Sequence, residues 1–395
     1  MRNNKQQTTN NQRQTTNNKQ PTTNDKQPTT NNKQPTTNNK PINLFDYETL
    51  APQHLSQMAL DYYASGAGDE ITLRNNRSAF EALQLRPRML VDVSQRDLST
   101  EILGEPVAMP ILIAPMAFQC LAHPEGEIAT AKAAAALGTV MVLSTMSTKS
   151  LEEVAQIPQQ TNQWFQLYIH RDRDLTRALV ERAEAAGFKA LCLTVDTPLL
   201  GSREKDRRNQ FTLPSGLELA NLATMANLQI PQTAGESGLL SYFAQQIDPG
   251  VTWWDLEWLH SLTSLPIVVK GILRGDDALR AVEYGAKAVI VSNHGGRQLD
   301  GAHATIDALP EIVAAVGDQA QVLIDGGIRR GTDVLKALAL GAQGVLLGRP
   351  VLWGLAVAGE AGVRQVLEIL RDELDLAMGL SGCATIQDIG SSLVK

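Results

Sequence analysis

The sequence predicts an α/β fold, a TIM (β/α)8 barrel with an N-terminal helical segment and a long lid insertion after the fourth strand. Eight short apolar segments recur along the chain after residue 110. Between most of them lie longer segments with apolar residues three to four positions apart, an alternation typical of repeated βα units. The chain has 395 residues, and such a barrel needs about 250. One catalytic domain therefore accounts for most of the chain.

Residues 1–41 are predicted to be a disordered low-complexity tail, and residues 42–395 to be the folded domain. A seven-residue unit, such as TTNNKQP, repeats over residues 8–41. A coiled coil is excluded because the unit has no apolar a and d positions and contains proline. So few apolar side chains cannot offset the entropy lost on ordering. Two roles stay open for the tail, a solvated extension or an arm that binds partners.

The elements after the tail follow from hydrophobic periodicity. The segment Asn43–Tyr63 predicts one or two helices, which end at the glycines of Tyr62-Tyr63-Ala-Ser-Gly-Ala-Gly. The predicted barrel strands are Ile111–Ala114, Val140–Leu143, Trp164–Tyr168, Ala190–Val195, Ile267–Val269, Ala288–Val291, Val322–Ile324 and Gly344–Leu347. Helices with one apolar face are predicted at Glu125–Leu137, Leu175–Ala186, Asp276–Tyr284 and Thr332–Ala339.

The span from Leu199 to Leu265 is far longer than a usual βα connection. Its first half is rich in glycine, proline and polar residues. A long excursion on the catalytic face of a barrel is commonly a lid over the active site. An insertion without function is the alternative.

The composition limits the partners. The chain carries 35 basic and 42 acidic residues, a formal charge of −7, which argues against general binding to nucleic acid or anionic membranes. No stretch approaches the roughly 20 apolar residues of a membrane span. The three cysteines, Cys120, Cys192 and Cys383, are widely spaced and form neither a disulfide framework nor a metal-ligand pattern. We therefore expect no metal and a cytoplasmic location.

The active site of a TIM barrel lies at the carboxyl ends of its strands. The residues there form a polar ring: Ser144, Gln166, Tyr168, Thr194, Asp196, Lys270, Ser292, His294, Arg297, Asp325 and Arg349. After the last two strands, Asp325-Gly326-Gly327-Ile328-Arg329 and Gly348-Arg349 combine glycine with arginine. Glycine lets backbone N–H groups approach an anion, and arginine adds charge-assisted hydrogen bonds. This pattern predicts a phosphate site, although glycines that merely permit turns would look similar.

Two further groups carry chemistry. His294 is followed at three residues by Arg297, so an imidazole that takes a proton near neutral pH lies beside a guanidinium that can hold a carboxylate. Lys270 ends the strand Pro-Ile-Val-Val-Lys. Its ammonium fits either a Schiff base with a carbonyl substrate or a fixed charge beside a developing anion.

The motifs resemble one family in order and spacing over about residues 45–381. They include Tyr62-Tyr63-Ala-Ser-Gly-Ala, Phe165-Gln-Leu-Tyr168, Leu193-Thr-Val-Asp-Thr-Pro, Ser292-Asn-His-Gly-Gly-Arg and Asp325-Gly-Gly-Ile-Arg-Arg-Gly. The combination is similar to the FMN-dependent α-hydroxy acid oxidases and dehydrogenases. The resemblance implies FMN as the cofactor and a homotetramer.

The resemblance also implies residue roles. His294 is the base, Asp196 supports it, Tyr168 is a second active-site phenol, and Lys270 faces the flavin N1, which replaces the Schiff-base interpretation. The substrate carboxylate is implied between Tyr62, Arg203 and Arg297. The implied FMN contacts are Pro115, Met116, Ala117, Ser144, Gln166, Thr194, Lys270, Ser292, Asp325, Gly326, Gly327, Arg329, Gly348 and Arg349.

Three positions bear on the substrate. The residues of plant-type glycolate oxidases that match Met116, Met146 and Phe243 are threonine, tryptophan and valine, and all three differ here. Loss of the tryptophan enlarges the space beside the substrate's C2 substituent, which favours a methyl group. We therefore expect oxidation of L-lactate to pyruvate with O2 and hydrogen peroxide formation. The alternatives are glycolate oxidation, a lactate dehydrogenase with a quinone or cytochrome acceptor, a flavin-barrel isomerase of phosphorylated substrates, and a non-catalytic flavin scaffold.

Overall fold

The computed structural model describes residues 40–157, 162–226 and 237–395. The chain divides into two units, Met1–Lys40 and Pro41–Lys395, and the helices and strands given below belong to the second unit. The predicted disordered tail lies outside the described residues except for its last two, so that interpretation stays a prediction. The same holds for the part of the long excursion at residues 227–236.

Eight parallel strands close into a barrel, which confirms the predicted fold. They follow a short antiparallel pair, β1 (Thr100–Ile102) and β2 (Glu105–Val107). The barrel strands are β3 (Ile111–Ile113), β4 (Met141–Leu143), β5 (Gln163–Leu167), β6 (Ala190–Thr194), β7 (Ile267–Ile272), β8 (Ala288–Val291), β9 (Gln321–Asp325) and β10 (Gly344–Leu347). Each pairs with its neighbours in sequence, and β10 closes on β3.

The strands are continuously apolar because both of their faces are buried. Alternate side chains point inward and form one cluster inside the barrel, with Trp164 as its largest member. The intervening side chains pack outward against the helices in a second, larger cluster. The barrel is therefore a filled core, and only its ends are available for a site.

The helices surround the barrel. They are α1 (Leu44–Leu50), α2 (Gln57–Ala64), α3 (Ile71–Ala82), α4 (Gly126–Ala136), α5 (Leu151–Ala155), α6 (Arg173–Ala185), α7 (Glu204–Arg208), α8 (Ala220–Ala226), α9 (Gly238–Gln246), α10 (Trp253–Leu262), α11 (Gly275–Glu283), α12 (Thr305–Val316), α13 (Gly331–Ala339) and α14 (Arg349–Ser381). Within α14, Ala358 and Gly359 have non-helical backbone angles, so a kink divides it. No helix in the described ranges has the length and apolar composition needed to cross a membrane.

The N-terminal segment contains the two predicted helices and one that was not predicted. Asn43 and Ser56 cap α1 and α2 by accepting hydrogen bonds from backbone N–H groups, and α2 ends just before Ser65. The additional helix, α3, is fixed by tertiary contacts. Its Asn76 exchanges two side-chain hydrogen bonds with Asn293, which lies in the loop after β8.

The long excursion between β6 and α10 is partly helical. It contributes Arg203, Leu239 and Phe243 to the wall of a cavity at the carboxyl end of the barrel. An insertion unrelated to the cavity is therefore excluded for these parts, which agrees with the predicted lid position.

Candidate active site

A cavity of about 1070 Å³, open to solvent, lies at the carboxyl ends of the barrel strands. It is lined by the predicted residues Tyr62, Pro115, Met116, Ala117, Ser144, Met146, Gln166, Tyr168, Thr194, Arg203, Phe243, Lys270, His294, Arg297, Asp325, Gly326, Gly327, Arg329, Gly348 and Arg349. Two predicted residues, Asp196 and Ser292, lie behind this wall and hydrogen-bond to residues that form it.

The floor of the cavity is the uppermost layer of the barrel interior. Inward-facing positions recur every second residue along a strand, and eight apolar interior residues, one from each strand or its flank, fill the barrel below. The next layer is formed by the residues two positions further along each strand, which are Ala114, Ser144, Gln166, Thr194, Lys270, Ser292, Asp325 and Gly348. The change from apolar to polar at this layer is what places the site here.

His294 and Asp196 form a hydrogen-bonded pair beside the cavity. His294 Nδ1 lies 2.9 Å from Asp196 Oδ1. The backbone of His294 is in the left-handed region, with φ of 58°, an uncommon conformation that turns the loop after β8 and is frequent at functional sites. Burial lowers the pKa of His294, and the Asp196 charge opposes this. The imidazole is therefore neutral, and able to accept a proton, at neutral pH.

Lys270 is held in place by two partners at the end of β7. Its Nζ donates to Ser292 Oγ at 2.8 Å and lies 3.1 Å from Asp325 Oδ2. Burial alone would lower the pKa of Lys270, but Asp325 and Asp196 raise it above its ordinary value. The ammonium is thus a permanent, fixed positive charge.

Two arginines and a tyrosine converge at one side of the cavity. Arg297 donates to the backbone carbonyls of Tyr62 and Ser65 at 2.5 and 3.0 Å, and its guanidinium lies 4.9 Å from the centre of the Tyr62 ring. Arg203 is 5% exposed, and its pKa is lowered to about 10 by burial and by Arg297. Two cations held this close, with a phenol beside them, suit a carboxylate.

A second pair of arginines lies at the end of the cavity formed after β9 and β10. Arg349 donates to the carbonyls of Tyr63, Ser65 and Gly295, and burial and the neighbouring arginines lower its pKa to about 9. Arg329 is 8% exposed and pairs with Glu48 at 3.3 Å. In the described part of the chain no carboxylate forms an ion pair with Arg349, so this end attracts an anion.

The glycines of this end leave room for such an anion. A Cβ at Gly348 would have only Met116 Sδ as a neighbour, at 3.9 Å. Gly327 has φ of 83°, and a Cβ there would lie 2.1 Å from the Asn76 carbonyl oxygen. The loop after β9 therefore requires glycine, and its backbone stays accessible from the cavity.

Buried polar atoms show what the middle of the cavity requires. Among the described residues, Gln166 Nε2, Thr194 Oγ1 and Asp325 Oδ1 are buried without a hydrogen-bond partner, and all three residues line the cavity. Unpartnered buried groups are costly unless a ligand supplies the partner. A ring edge with donors and acceptors provides partners for these atoms, and a phosphate attached to the ring provides the anion for Arg329 and Arg349. The residues present therefore fit FMN.

Another part of the cavity wall consists of aromatic and methionine side chains. Tyr168 and Phe243 pack edge to face with ring centres 5.5 Å apart, and Met116 and Met146 are 8% and 3% exposed. Burial is the main cause that raises the pKa of Tyr168 above its ordinary range, so its hydroxyl is a donor.

Several cavity residues were not predicted. They are Tyr63, Ala114, Leu239, Gly295, Ile328, Leu346, Leu347, Pro350 and Leu352. Tyr63, Gly295 and Ile328 stand inside the quoted motifs, so the sequence held a signal for them. Leu239 follows a stretch without periodicity, and nothing local marks it.

A barrel with a phosphate end, a fixed ammonium and a histidine beside paired arginines defines an enzyme that uses a phosphorylated cofactor on an anionic substrate. The chain belongs to the FMN-dependent dehydrogenase family, whose sequence model matches residues 51–395. Its cofactor is FMN, and the predicted family resemblance is confirmed.

Several relatives of this chain are named as oxidases. L-lactate oxidase of Nostoc sp. (strain PCC 7120 / SAG 25.82 / UTEX 2576) is 70% identical over 90% of this chain and 98% of its own length. Glycolate oxidase 3 of Arabidopsis thaliana is 54% identical over 89% of this chain and 95% of its own. 2-Hydroxyacid oxidase 1 of Homo sapiens is 53% identical over the same shares. The solved structure of mandelate oxidase with (S)-4-hydroxymandelic acid has a TM-score of 0.85, at 45% identity over 90% of this chain and 98% of that one.

Proposed function

We propose that the chain oxidises L-lactate to pyruvate with FMN, and that O2 reoxidises the flavin to give hydrogen peroxide. The observation that carries this proposal is the 2.9 Å pair of His294 and Asp196 beside two arginines in a flavin-sized cavity. The 70% identity to an L-lactate oxidase supports lactate as the substrate.

Substrate binding begins with the carboxylate. Arg203 and Arg297 neutralise it, and the Tyr62 hydroxyl adds a hydrogen bond. Since Arg297 is itself fixed by the carbonyls of Tyr62 and Ser65, the carboxylate is held in one place. This orients the adjacent CH–OH carbon toward the base.

The proton step belongs to His294. The Nδ1 atom is engaged with Asp196, so the proton is accepted at Nε2. Oxidation removes two hydrogens from the CH–OH group, and His294 takes one of them as a proton while Asp196 stabilises the resulting imidazolium. FMN, when bound, would accept the two electrons together with the second hydrogen.

Cofactor binding uses the rest of the cavity. Arg329, Arg349 and the glycines Gly326, Gly327 and Gly348 would hold the phosphate end, and Asp325 would contact the cofactor beside Lys270. The ring would lie against Pro115, Met116, Ala117, Ser144, Gln166 and Thr194, while Ser292 holds Lys270. Lys270 carries a permanent charge beside the ring and stabilises negative charge there.

The pocket composition favours lactate over glycolate. Met116, Met146 and Phe243 form a flexible apolar wall, and a methyl group gains contacts with it that a hydrogen atom does not. Glycolate is the second candidate, because relatives at 54% identity are glycolate oxidases.

We further propose a cytoplasmic homotetramer. All three cysteines are free thiols, as a reducing compartment requires, and the family resemblance supports the assembly. Light scattering of the purified protein measures the mass directly.

One experiment tests the function. The purified protein, yellow with FMN, is mixed without oxygen with L-lactate, D-lactate or glycolate, and bleaching of the flavin is followed. Bleaching fastest with L-lactate, and peroxide formed in air, support the proposal. A higher kcat/KM for glycolate, or reduction of a dye without peroxide formation in air, assigns the alternatives. No bleaching by any 2-hydroxy acid contradicts the proposal.

A further inference from the structure

Gln298, the residue after Arg297, joins the two loops that carry the active-site groups. Its Nε2 donates to the backbone carbonyls of Asp196 at 2.7 Å and Leu199 at 2.9 Å. Its Oε1 accepts from the backbone N–H of Gly201 at 3.0 Å and lies 3.5 Å from Arg203 Nη2. One amide thus reaches four points on the loop after β6.

The backbones of the two loops are also in direct contact. A Cβ at Gly201 would lie 2.3 Å from the Arg297 carbonyl oxygen and 2.7 Å from Gln298 Cα, so the glycine lies flat against the other loop. Arg203 Nε donates to the same Arg297 carbonyl at 3.3 Å. The register between the loops is therefore fixed on both sides of the Gln298 amide.

Each loop carries one half of two functional pairs. The loop after β6 holds Asp196 and Arg203, and the loop after β8 holds His294 and Arg297. The acid–base pair and the carboxylate-binding pair both span the junction that Gln298 makes. In a 2-hydroxy acid the carboxylate is one bond from the reacting carbon, so an error between the two pairs is not absorbed by the substrate.

We infer that Gln298 is a positioning residue that sets the distance between the His294–Asp196 pair and the Arg203–Arg297 pair. Its two ends act on different steps. The Nε2 end orients the Asp196 peptide and through it the base, and the Oε1 end orients Gly201 and Arg203, which bind the substrate. The inference rests on the proposed function.

Two variants test the contacts made by the Nε2 and Oε1 atoms of Gln298. Gln298→Leu removes both, and we expect kcat to fall, KM for L-lactate to rise, and kcat/KM to drop about 10- to 100-fold. Because Asp196 raises the pKa of His294, a loosened Asp196 also moves the acid limb of the kcat/KM profile to lower pH. Gln298→Glu keeps an acceptor for the Gly201 N–H but loses the donors to Asp196 and Leu199, and its negative charge lies beside Arg203. We therefore expect kcat to fall and KM to rise as well.

Gln321 supplies the matched control. Its amide also bridges backbone groups of another segment, accepting from Leu103 N–H and donating to the Glu101 carbonyl, but it lies at the start of β9, at the opposite end of the barrel. Gln321→Leu should lower the Tm and leave kcat, KM and the pH profile unchanged.

The outcomes are distinct. A yellow Gln298→Leu protein with kcat/KM and acid limb within about twofold of wild type would overturn the inference, as would kinetics like those of Gln321→Leu. If Gln298→Leu does not fold, Gln298→Glu decides, and a kcat within about twofold of wild type overturns the inference. A wild-type protein inert toward L-lactate would instead refute the proposed function.

Discussion

Met146 is the residue at which the substrate preference is most open to test. It is 3% exposed and lines the cavity with Met116 and Phe243. Tryptophan fills the space that a methyl substituent needs, so Met146→Trp should shift the ratio of kcat/KM values from L-lactate toward glycolate by about tenfold or more. Steady-state kinetics with both acids measure the ratio. Met89→Trp, at an exposed methionine, is the matched control. An unchanged ratio for Met146→Trp refutes the pocket argument.

As the proposed base, His294 should determine the pH dependence of kcat/KM. Burial, the largest cause, lowers its pKa below the ordinary 6.5, and the base must be unprotonated to act. The decline of kcat/KM for L-lactate on the acid side should therefore have its midpoint below pH 6.5. Rates measured from pH 5 to pH 8 test this, with the upper end as the internal reference. A midpoint above pH 7 would show that His294 is not the titrating base or is not buried in the active enzyme.

At the residue scale the sequence predicts Lys270, His294 and Arg297 as site residues from their position at or after the ends of apolar runs, and all three line the cavity. It did not reveal the partners that fix them. Asn76 and Gln298 lie about 220 residues apart in the chain, and both act through tertiary hydrogen bonds that no local pattern encodes.

Helix α3 is joined to the loop after β8, which carries His294, and Asn76 makes the hydrogen bonds between them. The Asn76 and Asn293 side chains exchange hydrogen bonds of 2.9 and 2.8 Å and are 2% and 5% exposed. Asn76→Ala leaves the Asn293 amide unpartnered in a buried place, so the free energy of unfolding should fall by about 1–3 kcal/mol. Chemical denaturation measures the loss. Asn75→Ala, an exposed neighbour on the same helix, should change it by less than about 0.5 kcal/mol. Equal stability of the two variants would contradict the anchoring role.

Elements differ in how far the sequence predicts them. All eight barrel strands were predicted to within a few residues, because a strand buried on both faces is a continuous apolar run. Helix α3 was missed, since Ile71–Ala82 has adjacent Asn and Arg residues and only three buried positions. The helices α7, α8 and α9 were not separated from their loops, because short helices owe their stability to packing more than to propensity.

The chain consists of a domain that matches the family model and a repetitive N-terminal segment. The family model begins at residue 51, and the residues that line the cavity lie between Tyr62 and Leu352. Removal of residues 1–40 should therefore leave kcat and FMN content within about twofold of the full chain. Parallel assays of both proteins check this. Loss of most turnover on truncation would assign the segment a role in catalysis or assembly.

The most direct test of the account is single-turnover reduction of the His294→Gln protein. Glutamine occupies similar space and can still bond to Asp196, but it cannot accept the proton. The variant should bind FMN like wild type, and L-lactate should bleach its flavin at least about 10²-fold more slowly without oxygen. Bleaching within a few-fold of the wild-type rate would show that His294 is not the base and would refute the proposed proton transfer.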